Sequence, residues 1–415
     1  MLELRKNQLE AIKTSLENDF ESGIHYHATG TGKSIIGYEL LINYYKKYKT
    51  NNIIWLCEQK NILNEQFSKE KLSSLNYSNI FKIFNVLNYT NNKNQDWYQS
   101  VNSINFWTKK PTLLIINRAF LVSSLKYKKL KLKFDLIIHD ECHTITNSTT
   151  QDFYNWILDK MPKIKCIGLT ATPNLKYKPF TKLLTNYSIF KGVVDQVILP
   201  PKIIWVKSES IITQIDILKL FNHLKKELYY KKVIVWCGMV DLCISMSSIW
   251  QEYLQNDKFK ICIDISDQYL LEKHKLLSTN KNINKNTNKN TNTRQNKYIS
   301  YQEFQDLESY GILFCAAKHR EGSDIKNLDC AIFLDKVENR NHKTFVQCLG
   351  RVLRIDKNHK KKKGLIIDVK AKNCISVCDR MNEYLQFKGD FYPWNYKYYF
   401  TDINNKRFQI NSLDL

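Results

Sequence analysis

The chain has 415 residues and a formal net charge of +23, from 63 Lys and Arg against 40 Asp and Glu. This length excludes a single small binding module and predicts two or so domains, each able to bury a core. The charge favours a polyanionic partner such as nucleic acid, although an AT-rich coding sequence would also inflate Lys in a chain with only nine Arg.

The composition also bears on the compartment. No apolar run reaches the roughly 18 residues that span a membrane, and the N-terminal stretch MLELRKNQLEAIK does not resemble a secretory signal. The 11 cysteines show no paired CxxC spacing, which argues against a zinc site or a disulfide framework. We therefore expect a protein with no membrane partner, in the cytoplasm or another reducing compartment.

The first predicted site lies between a strand and a helix. The stretch HYHATGTGKSII, residues 25–36, contains the end of the phosphate-loop pattern GxxxxGK[ST] and is followed by a helix with one apolar face. Gly30 and Gly32 would let backbone N–H groups turn toward phosphates. Lys33 would reach the β- and γ-phosphates of a nucleotide, and the Ser34 hydroxyl would hold Mg²⁺. The alternative is an ordinary turn that carries this string by chance.

Strand-like apolar runs alternate with helix-like stretches along nearly the whole chain, which predicts an α/β fold with parallel sheets covered by helices. The runs are NIIWLC, TLLIIN, FDLIIHDE and IKCIGLTATP in the first half, and VIVWC, FKICIDI, GILFCAA, CAIFLD and GLIIDV in the second. Pro200 and Pro201 near the midpoint predict a hinge between two domains, residues 1–200 and 201–372.

A metal-holding carboxylate is predicted where FDLIIHDECH leaves its strand. Asp140 and Glu141 follow an apolar run, at the strand end where open α/β sheets bind ligands. Asp140 would hold Mg²⁺ directly or through water, and Glu141 would orient and deprotonate an attacking water. The alternative is a solvated acidic pair, which is common after strands.

Two segments do not read as parts of a core. Residues 278–297, STNKNINKNTNKNTNTRQNK, carry five positive charges and no negative one, and we expect a disordered insert in the second domain. This insert is either a tolerated surface loop or an arm that binds nucleic acid. The aromatic-rich tail, residues 373–415, is too short for a domain and is expected to pack on the second half.

Taken in chain order, these motifs resemble those of the superfamily 2 helicases and translocases. The similar segments are LRKNQLEAI near the start, HATGTGKS, DECH at 140–143 (a DExH box), TAT at 170–172, EGSDI at 321–325 and QCLGRVLR at 347–354. The match covers about residues 2–370. It implies two tandem RecA-like domains with a nucleotide cleft between them, ATP and Mg²⁺ as ligands, and DNA or RNA bound through backbone contacts that are largely independent of sequence.

The resemblance also implies roles for single residues. Those expected to bind the nucleotide are Arg5, Gln8, Thr29, Gly30, Thr31, Gly32, Lys33, Ser34, Gly322 and Asp324. Those expected to couple hydrolysis to domain movement are His143, Thr170 and Thr172. Those expected to be catalytic are Glu141, Gln347, Arg351 and Arg354.

The sequence departs from the family pattern at two positions. His27 stands where a small or apolar residue is usual; because that residue packs beneath the loop, nucleotide binding should survive. Gln59 stands where the family often has Arg, which weakens the case for a nucleic-acid contact there. Together with DECH, the segments VIVWCGM and KHREGSDI are most similar to helicases of large DNA viruses, which would place the protein in a host cytoplasm or virion. Restriction-motor and repair-type translocases are the next most similar group.

The scarcity of arginine offers an independent indication. Arg351 and Arg354 are three residues apart, which predicts that they share one face of a short helix. A planar guanidinium suits the transition state of γ-phosphate transfer better than Lys does. The alternative is a surface arginine paired with a carboxylate such as Asp356.

Three functional hypotheses follow. The first is an ATP-dependent helicase or translocase acting on DNA or RNA. The second is a motor of the same chemistry that remodels nucleoprotein without separating strands. The third is a nucleic-acid-binding sensor whose ATPase is vestigial, and the complete set of predicted catalytic residues argues against it.

Overall fold

The structure is a computed structural model. It describes residues 3–49, 52–58, 64–89, 96–104, 110–123, 125–207, 215–219, 221–222, 231–254, 257–265, 298–308, 310–316, 318–319, 325–334, 342–355, 363–370, 396–401 and 407–414. The chain forms two compact units, a first unit of Met1–Val197 and a second unit of Ile198–Leu415. The predicted insert, residues 278–297, lies outside the described residues.

Helices and strands alternate in both units. The helices are α1 (Lys6–Glu17), α2 (Lys33–Tyr48), α3 (Lys69–Ser74), α4 (Ile80–Ile83), α5 (Trp97–Ser103), α6 (Arg118–Ser123), α7 (Ser148–Lys160), α8 (Ile189–Val194), α9 (Val240–Tyr253), α10 (Tyr301–Asp306) and α11 (His342–Val352). The strands are β1 (Gly23–His27), β2 (Ile53–Cys57), β3 (Asn85–Tyr89), β4 (Thr112–Asn117), β5 (Leu136–Asp140), β6 (Lys165–Thr170), β7 (Leu183–Tyr187), β8 (Pro201–Lys207), β9 (Lys232–Trp236), β10 (Lys260–Ile263), β11 (Gly311–Cys315), β12 (Cys330–Phe333), β13 (Gly364–Lys370), β14 (Tyr396–Thr401) and β15 (Arg407–Asp414).

The described strands of the first unit form one sheet in the order β3-β4-β2-β5-β6-β1-β7. All neighbours in it are parallel. Successive residues of β2 pack on opposite faces: Ile53 and Trp55 join a core on one side, and Ile54 and Leu56 join a core on the other. Because both faces are covered, the strand reads as a continuous apolar run rather than as an alternating one.

Helix α2 packs very close to this sheet. A Cβ atom added to Gly37 would lie 2.3 Å from the ring of Trp55, so only glycine fits at this crossing without a shift of the helix. Ile36, Leu40 and Leu41 of the same helix are fully buried. The close packing places the first turn of α2, and with it the phosphate-loop segment, at the end of β1.

The described strands of the second unit form a sheet in the order β10-β11-β9-β12-β13-β8-β15-β14. Its first six strands are parallel, whereas β15 runs antiparallel to both β8 and β14. The tail therefore adds an antiparallel ribbon to this sheet, a feature that the prediction of parallel sheets did not include. The α/β architecture with parallel sheets flanked by helices is confirmed.

The described residues also bear on the cysteines and on helices that could cross a membrane. Each of the nine cysteines there is buried. Among the same residues, no helix combines the length and apolar character that crossing a bilayer requires.

Candidate nucleotide site

The phosphate-loop residues connect β1 to α2 at the carboxyl edge of the first sheet, where parallel α/β sheets bind ligands. Gly30 and Gly32 have φ angles of 87° and 90°, in the region that glycine adopts without strain. A Cβ atom on Gly32 would also lie 2.2 Å from Nε2 of Gln8. Thr29 and Thr31 are buried, and Lys33 begins the helix. This arrangement suits an anion, because the N–H groups of a helix's first turn are available to it.

The predicted base-contact segment touches the loop itself. Oε1 of Gln8 accepts a hydrogen bond from the backbone N–H of Arg5 (2.9 Å), and Nε2 of Gln8 donates to the carbonyl of Gly32 (3.4 Å). Gln8 is buried, whereas Arg5 is exposed. Gln8 therefore lies where it can sense the loop conformation; its contact with adenine stays a prediction.

His27 is buried beneath the loop. Its ring stacks on Tyr187 at 5.5 Å, and its Nδ1 lies 3.3 Å from Nδ2 of Asn7. The same Asn7 amide donates to the carbonyl of Thr31 (3.2 Å). The histidine that departs from the family pattern is thus accommodated by a polar contact that links α1 to the loop.

Three charged residues meet at this edge of the sheet. Asp140 ends β5 and Glu141 follows it, while Lys33 comes from the far side of β6. Nζ of Lys33 lies 3.5 Å from Oε1 of Glu141. Glu141 is 21% exposed, so its carboxylate can reach solvent, whereas Asp140 is 4% exposed. The two acidic residues therefore occupy different environments, which is the usual basis for different chemical roles.

A buried amide joins the two predicted metal ligands. Nε2 of Gln66 donates a hydrogen bond to Oγ of Ser34 and another to Oδ2 of Asp140, each of 2.9 Å. The hydroxyl and the carboxylate therefore lie within reach of one small group. Oxygen donors of this kind are the ligands that Mg²⁺ uses beside nucleotide phosphates, so these residues fit that cation. No group of three or more His, Cys, Asp or Glu that could hold a metal occurs among the described residues.

Burial and the negative charge of Glu141 raise the pKa of Asp140 to about 6. The hydrogen bond from Gln66 and the charge of Lys33 oppose this rise. Near neutral pH the Asp140 carboxylate is thus ionised but poorly solvated. A bound cation would relieve this cost, which is why such a carboxylate is suited to hold one.

Glu141 has an uncommon backbone conformation for its residue type. Its φ and ψ angles are 59° and 47°, in the left-handed region, and its N–H donates to the carbonyl of Leu169 (2.8 Å). A non-glycine residue in this region stores about 1–3 kcal/mol of strain and occurs often at functional sites. Here the turn aims the Glu141 side chain toward Lys33 instead of continuing the direction of β5.

The three predicted coupling residues form a chain of contacts that begins at Glu141. Nδ1 of His143 lies 3.3 Å from Oε2 of Glu141 and 3.2 Å from Oγ1 of Thr170. The same Thr170 hydroxyl accepts a hydrogen bond from the N–H of Thr172 (3.1 Å). The DECH and TAT segments are therefore connected directly, through side chains that lie at the ends of neighbouring strands.

The remaining predicted site residues belong to the second unit. Gln347 and Arg351 lie on α11 and are buried, and Arg354 is half-buried. The prediction that both arginines share a helical face is wrong, because α11 ends at Val352. The Leu353 carbonyl then accepts a hydrogen bond from the N–H of Leu199 (2.8 Å), so the backbone leaves the helical path before Arg354.

Three residues discussed from the sequence lie outside the part of the chain that the structure describes, and the contacts of two other residues were not predicted. Gly322, Asp324 and Gln59 lie outside the described residues. The contacts of Gln66 and Asn7 were missed, because no role was assigned to either residue although Asn7 lies in LRKNQLEAI and Gln66 in the same segment as Gln59. For Gln66, the signal that could have found it was its segment WLCEQKNILNEQF, residues 55–67, which the family comparison at Gln59 had already singled out.

Buried histidines near the site predict a loss of stability in mild acid. Burial lowers the pKa of His25 and of His139 to about 3, and it also lowers the pKa of His27. An unfolded histidine binds a proton near pH 6.5, whereas His25 and His139 in the folded protein do so only near pH 3. The folded protein therefore keeps its full stability above pH 6.5 and loses stability as the pH falls from 6.5 toward 3. Between pH 7.5 and pH 5, we expect a loss of about 2 kcal/mol from each of His25 and His139.

The raised pKa of Asp140 acts in the opposite direction. As the pH falls from 6 toward 3.8, Asp140 gains a proton in the folded protein before it does so in the unfolded chain, and we expect this to restore about 1 kcal/mol of stability at pH 5. Urea unfolding of the first unit at the two pH values should thus show a net loss. A His25→Gln variant should lose about 2 kcal/mol less. Equal stability of the unchanged protein at both pH values would contradict this prediction.

Comparison with known protein families gives a match to the first part of the chain. Residues 1–175 match the family described as "Type III restriction enzyme, res subunit". No curated protein matches the chain. The family match covers the first unit up to the TAT segment, and so it includes the phosphate loop and the DECH residues.

Three solved structures share the fold. The ATP-dependent type ISP restriction-modification enzyme LlaBIII bound to DNA has a TM-score of 0.60 and 16% identity, over 88% of this chain and 28% of that one. The DEAD-box helicase Mss116p bound to single-stranded RNA and AMP-PNP has a TM-score of 0.58 and 16% identity, over 89% and 70%. S. cerevisiae Dbp5 bound to RNA and ADP BeF3 has a TM-score of 0.55 and 12% identity, over 92% and 87%.

At these identities the likeness establishes the fold alone, which is the RecA-like α/β fold. The chain spans little more than a quarter of the length of LlaBIII.

Proposed function

We propose that this protein is an ATP-dependent helicase or translocase of superfamily 2 that moves on DNA or RNA. The observation that carries the proposal is the cluster at the edge of the first sheet, where Lys33, Ser34, Asp140 and Glu141 meet from the ends of β1 and β5. The proposal is supported by the family match of residues 1–175 and by the fold shared with a DNA-bound restriction-modification enzyme and an RNA-bound DEAD-box helicase.

In this proposal, Lys33 and the N–H groups of the loop bind the phosphates of ATP. Mg²⁺, held by Ser34 and Asp140, would supply positive charge to the phosphate oxygens. Glu141 accepts the proton of the attacking water, since its carboxylate is partly exposed and is aimed at the loop. Binding of a phosphate would draw Lys33 away from Glu141, which frees the carboxylate for this step.

The second unit would complete the site. Gln347, Arg351 and Arg354 are proposed to face the phosphates when ATP closes a cleft between the two units, with Gly322 and Asp324 contributing from the preceding motif. An arginine that enters only in the closed state stabilises charge that develops during the reaction. His143, Thr170 and Thr172 would transmit the state of Glu141, because their contacts begin at its carboxylate.

The proposed partner is nucleic acid bound through its backbone. The net charge of +23 supports it, and LlaBIII and Mss116p are bound to DNA and RNA. Contacts with phosphates would be salt-dependent and largely independent of sequence. The same proposal includes three further points: DECH at 140–143 is a DExH box, the chain is similar to helicases of large DNA viruses, and the protein works in a reducing compartment.

The deciding experiment is ATP turnover measured with single- and double-stranded DNA and RNA as stimulators, beside a strand-displacement assay. We expect turnover that rises with nucleic acid, and no turnover from a Lys33→Ala variant, which loses the cation of the loop. Stimulated turnover without strand displacement would favour a translocase or remodelling motor. Nucleic-acid binding with no turnover at all would replace the proposal with a sensor whose ATPase is vestigial.

A further inference from the structure

Gln66 is held firmly in the segment that follows β2, seven residues beyond Gln59. Its backbone carbonyl accepts a hydrogen bond from the hydroxyl of Tyr38 (2.8 Å), and Tyr38 is fully buried in α2. The next residue, Phe67, packs edge-on against the rings of Tyr38 and Trp55 at 5.6 and 5.0 Å. The segment after β2 is thereby tied to the helix that begins at the phosphate loop.

The side chain of Gln66 points into the candidate metal site. It is 9% exposed, and its amide nitrogen donates one hydrogen bond to Ser34 and one to Asp140. These donations use both N–H bonds of the amide. The other end of the amide, Oε1, is buried and has no hydrogen-bond partner among the described residues. A buried polar atom without a partner is costly unless a ligand or water completes it.

We infer that Gln66 is a positioning residue for the metal–nucleotide site, an inference that rests on the proposed function. Its amide orients the Ser34 hydroxyl and the Asp140 carboxylate together, so that both can serve one cation. A hydroxyl or carboxylate oxygen has more than one lone pair, so each can accept from the amide and still serve the cation. Oε1 remains as an acceptor for a water of the filled site.

The inference predicts how magnesium and nucleotide binding are linked. Groups that orient metal ligands change metal affinity by about 10- to 100-fold when they are removed. A Gln66→Met variant keeps a side chain of similar length but cannot donate. We expect its dissociation constant for nucleotide in EDTA to equal that of the unchanged protein. The factor by which Mg²⁺ tightens nucleotide binding should be about 10- to 100-fold smaller in the variant.

The experiment is a fluorescence titration of the full chain with a mant-labelled ATP analogue that cannot be hydrolysed, with Mg²⁺ and with EDTA. The readout is the dissociation constant in EDTA divided by the dissociation constant with Mg²⁺. This ratio is used because a general loss of folding would weaken nucleotide binding in both conditions. Glu65→Gln, at the exposed neighbouring position, is the matched control and should keep the original ratio. Gln66→Asn, whose shorter amide cannot reach both oxygens, should lower the ratio as well and covers the case in which the Met variant does not fold.

The outcomes separate the inference from the proposed function. An unchanged ratio in the Gln66 variants, with clear tightening by Mg²⁺ in the unchanged protein, would overturn the inference alone. A higher ratio would also overturn it, because the amide would then be a competitor of the cation. If Mg²⁺ does not tighten binding to the unchanged protein, the proposed function fails, and the inference fails with it.

Discussion

Replacing Glu141 by glutamine is expected to lower ATP turnover by about 10²- to 10⁴-fold, the range that a general base contributes. Glutamine has the same shape and can still accept a hydrogen bond from water, but it cannot take the proton. ATP should remain bound with an affinity close to that of the unchanged protein, since Lys33 and the loop N–H groups are kept. The stalled complex should therefore hold nucleic acid more tightly than the unchanged protein does.

The environments of the two carboxylates explain why Glu141 is chosen over Asp140. Asp140 is almost fully buried and accepts a hydrogen bond from Gln66, a position suited to a fixed ligand. Glu141 is partly exposed and lies within 3.5 Å of Lys33 and 3.3 Å of His143. Its left-handed backbone turn brings the carboxylate toward the loop instead of into the core.

Phosphate release measures this prediction, together with binding of a labelled ATP analogue. Glu17→Gln is a matched control, because Glu17 is exposed at the end of α1 and pairs with the exposed Lys13 one turn before it. That variant should turn over ATP at the original rate. An unchanged kcat for Glu141→Gln would show that another group is the base.

The second large effect is expected at Arg354. Replacing Arg354 by lysine should lower turnover by about 10²-fold or more, almost as much as replacing it by alanine. Lysine keeps the charge but loses the planar fork that contacts two phosphate oxygens at once. ATP affinity should change little, because the first unit still holds the phosphates through Lys33 and the loop.

Steady-state kinetics with both variants test this expectation, and nucleotide binding is measured beside them. Lys326→Ala serves as the control, since it removes one exposed positive charge from the same unit. If the lysine variant turns over ATP like the unchanged protein, Arg354 contributes only charge, and the proposed role of an arginine at the γ-phosphate would be wrong. A large rise in KM with unchanged kcat would instead place Arg354 in ground-state binding.

The parallel strands were the most predictable part of the fold. Each apolar run quoted from the sequence contains a strand, from β2 through β13. A strand that is buried on both faces is apolar at nearly every position, so it can be recognised as a continuous apolar run. The half-buried β3 and the edge strand β7 do not have continuous apolar runs and were not predicted. The pairing of β15 with β8 was not predicted either, since a strand that joins an edge needs no special residues.

The sequence by itself determined which chemical groups the candidate site contains. The loop string and the acidic pair after β5 are local patterns, and their meaning depends on a few adjacent residues. Only the tertiary structure decided how those groups are connected. Gln66 is 32 positions from Ser34 and 74 from Asp140 in the chain, yet one amide reaches both. That contact exists because β2 lies beside β5 in the sheet and α2 packs above them, and strand order is set by the packing of the whole domain rather than by any short stretch of sequence.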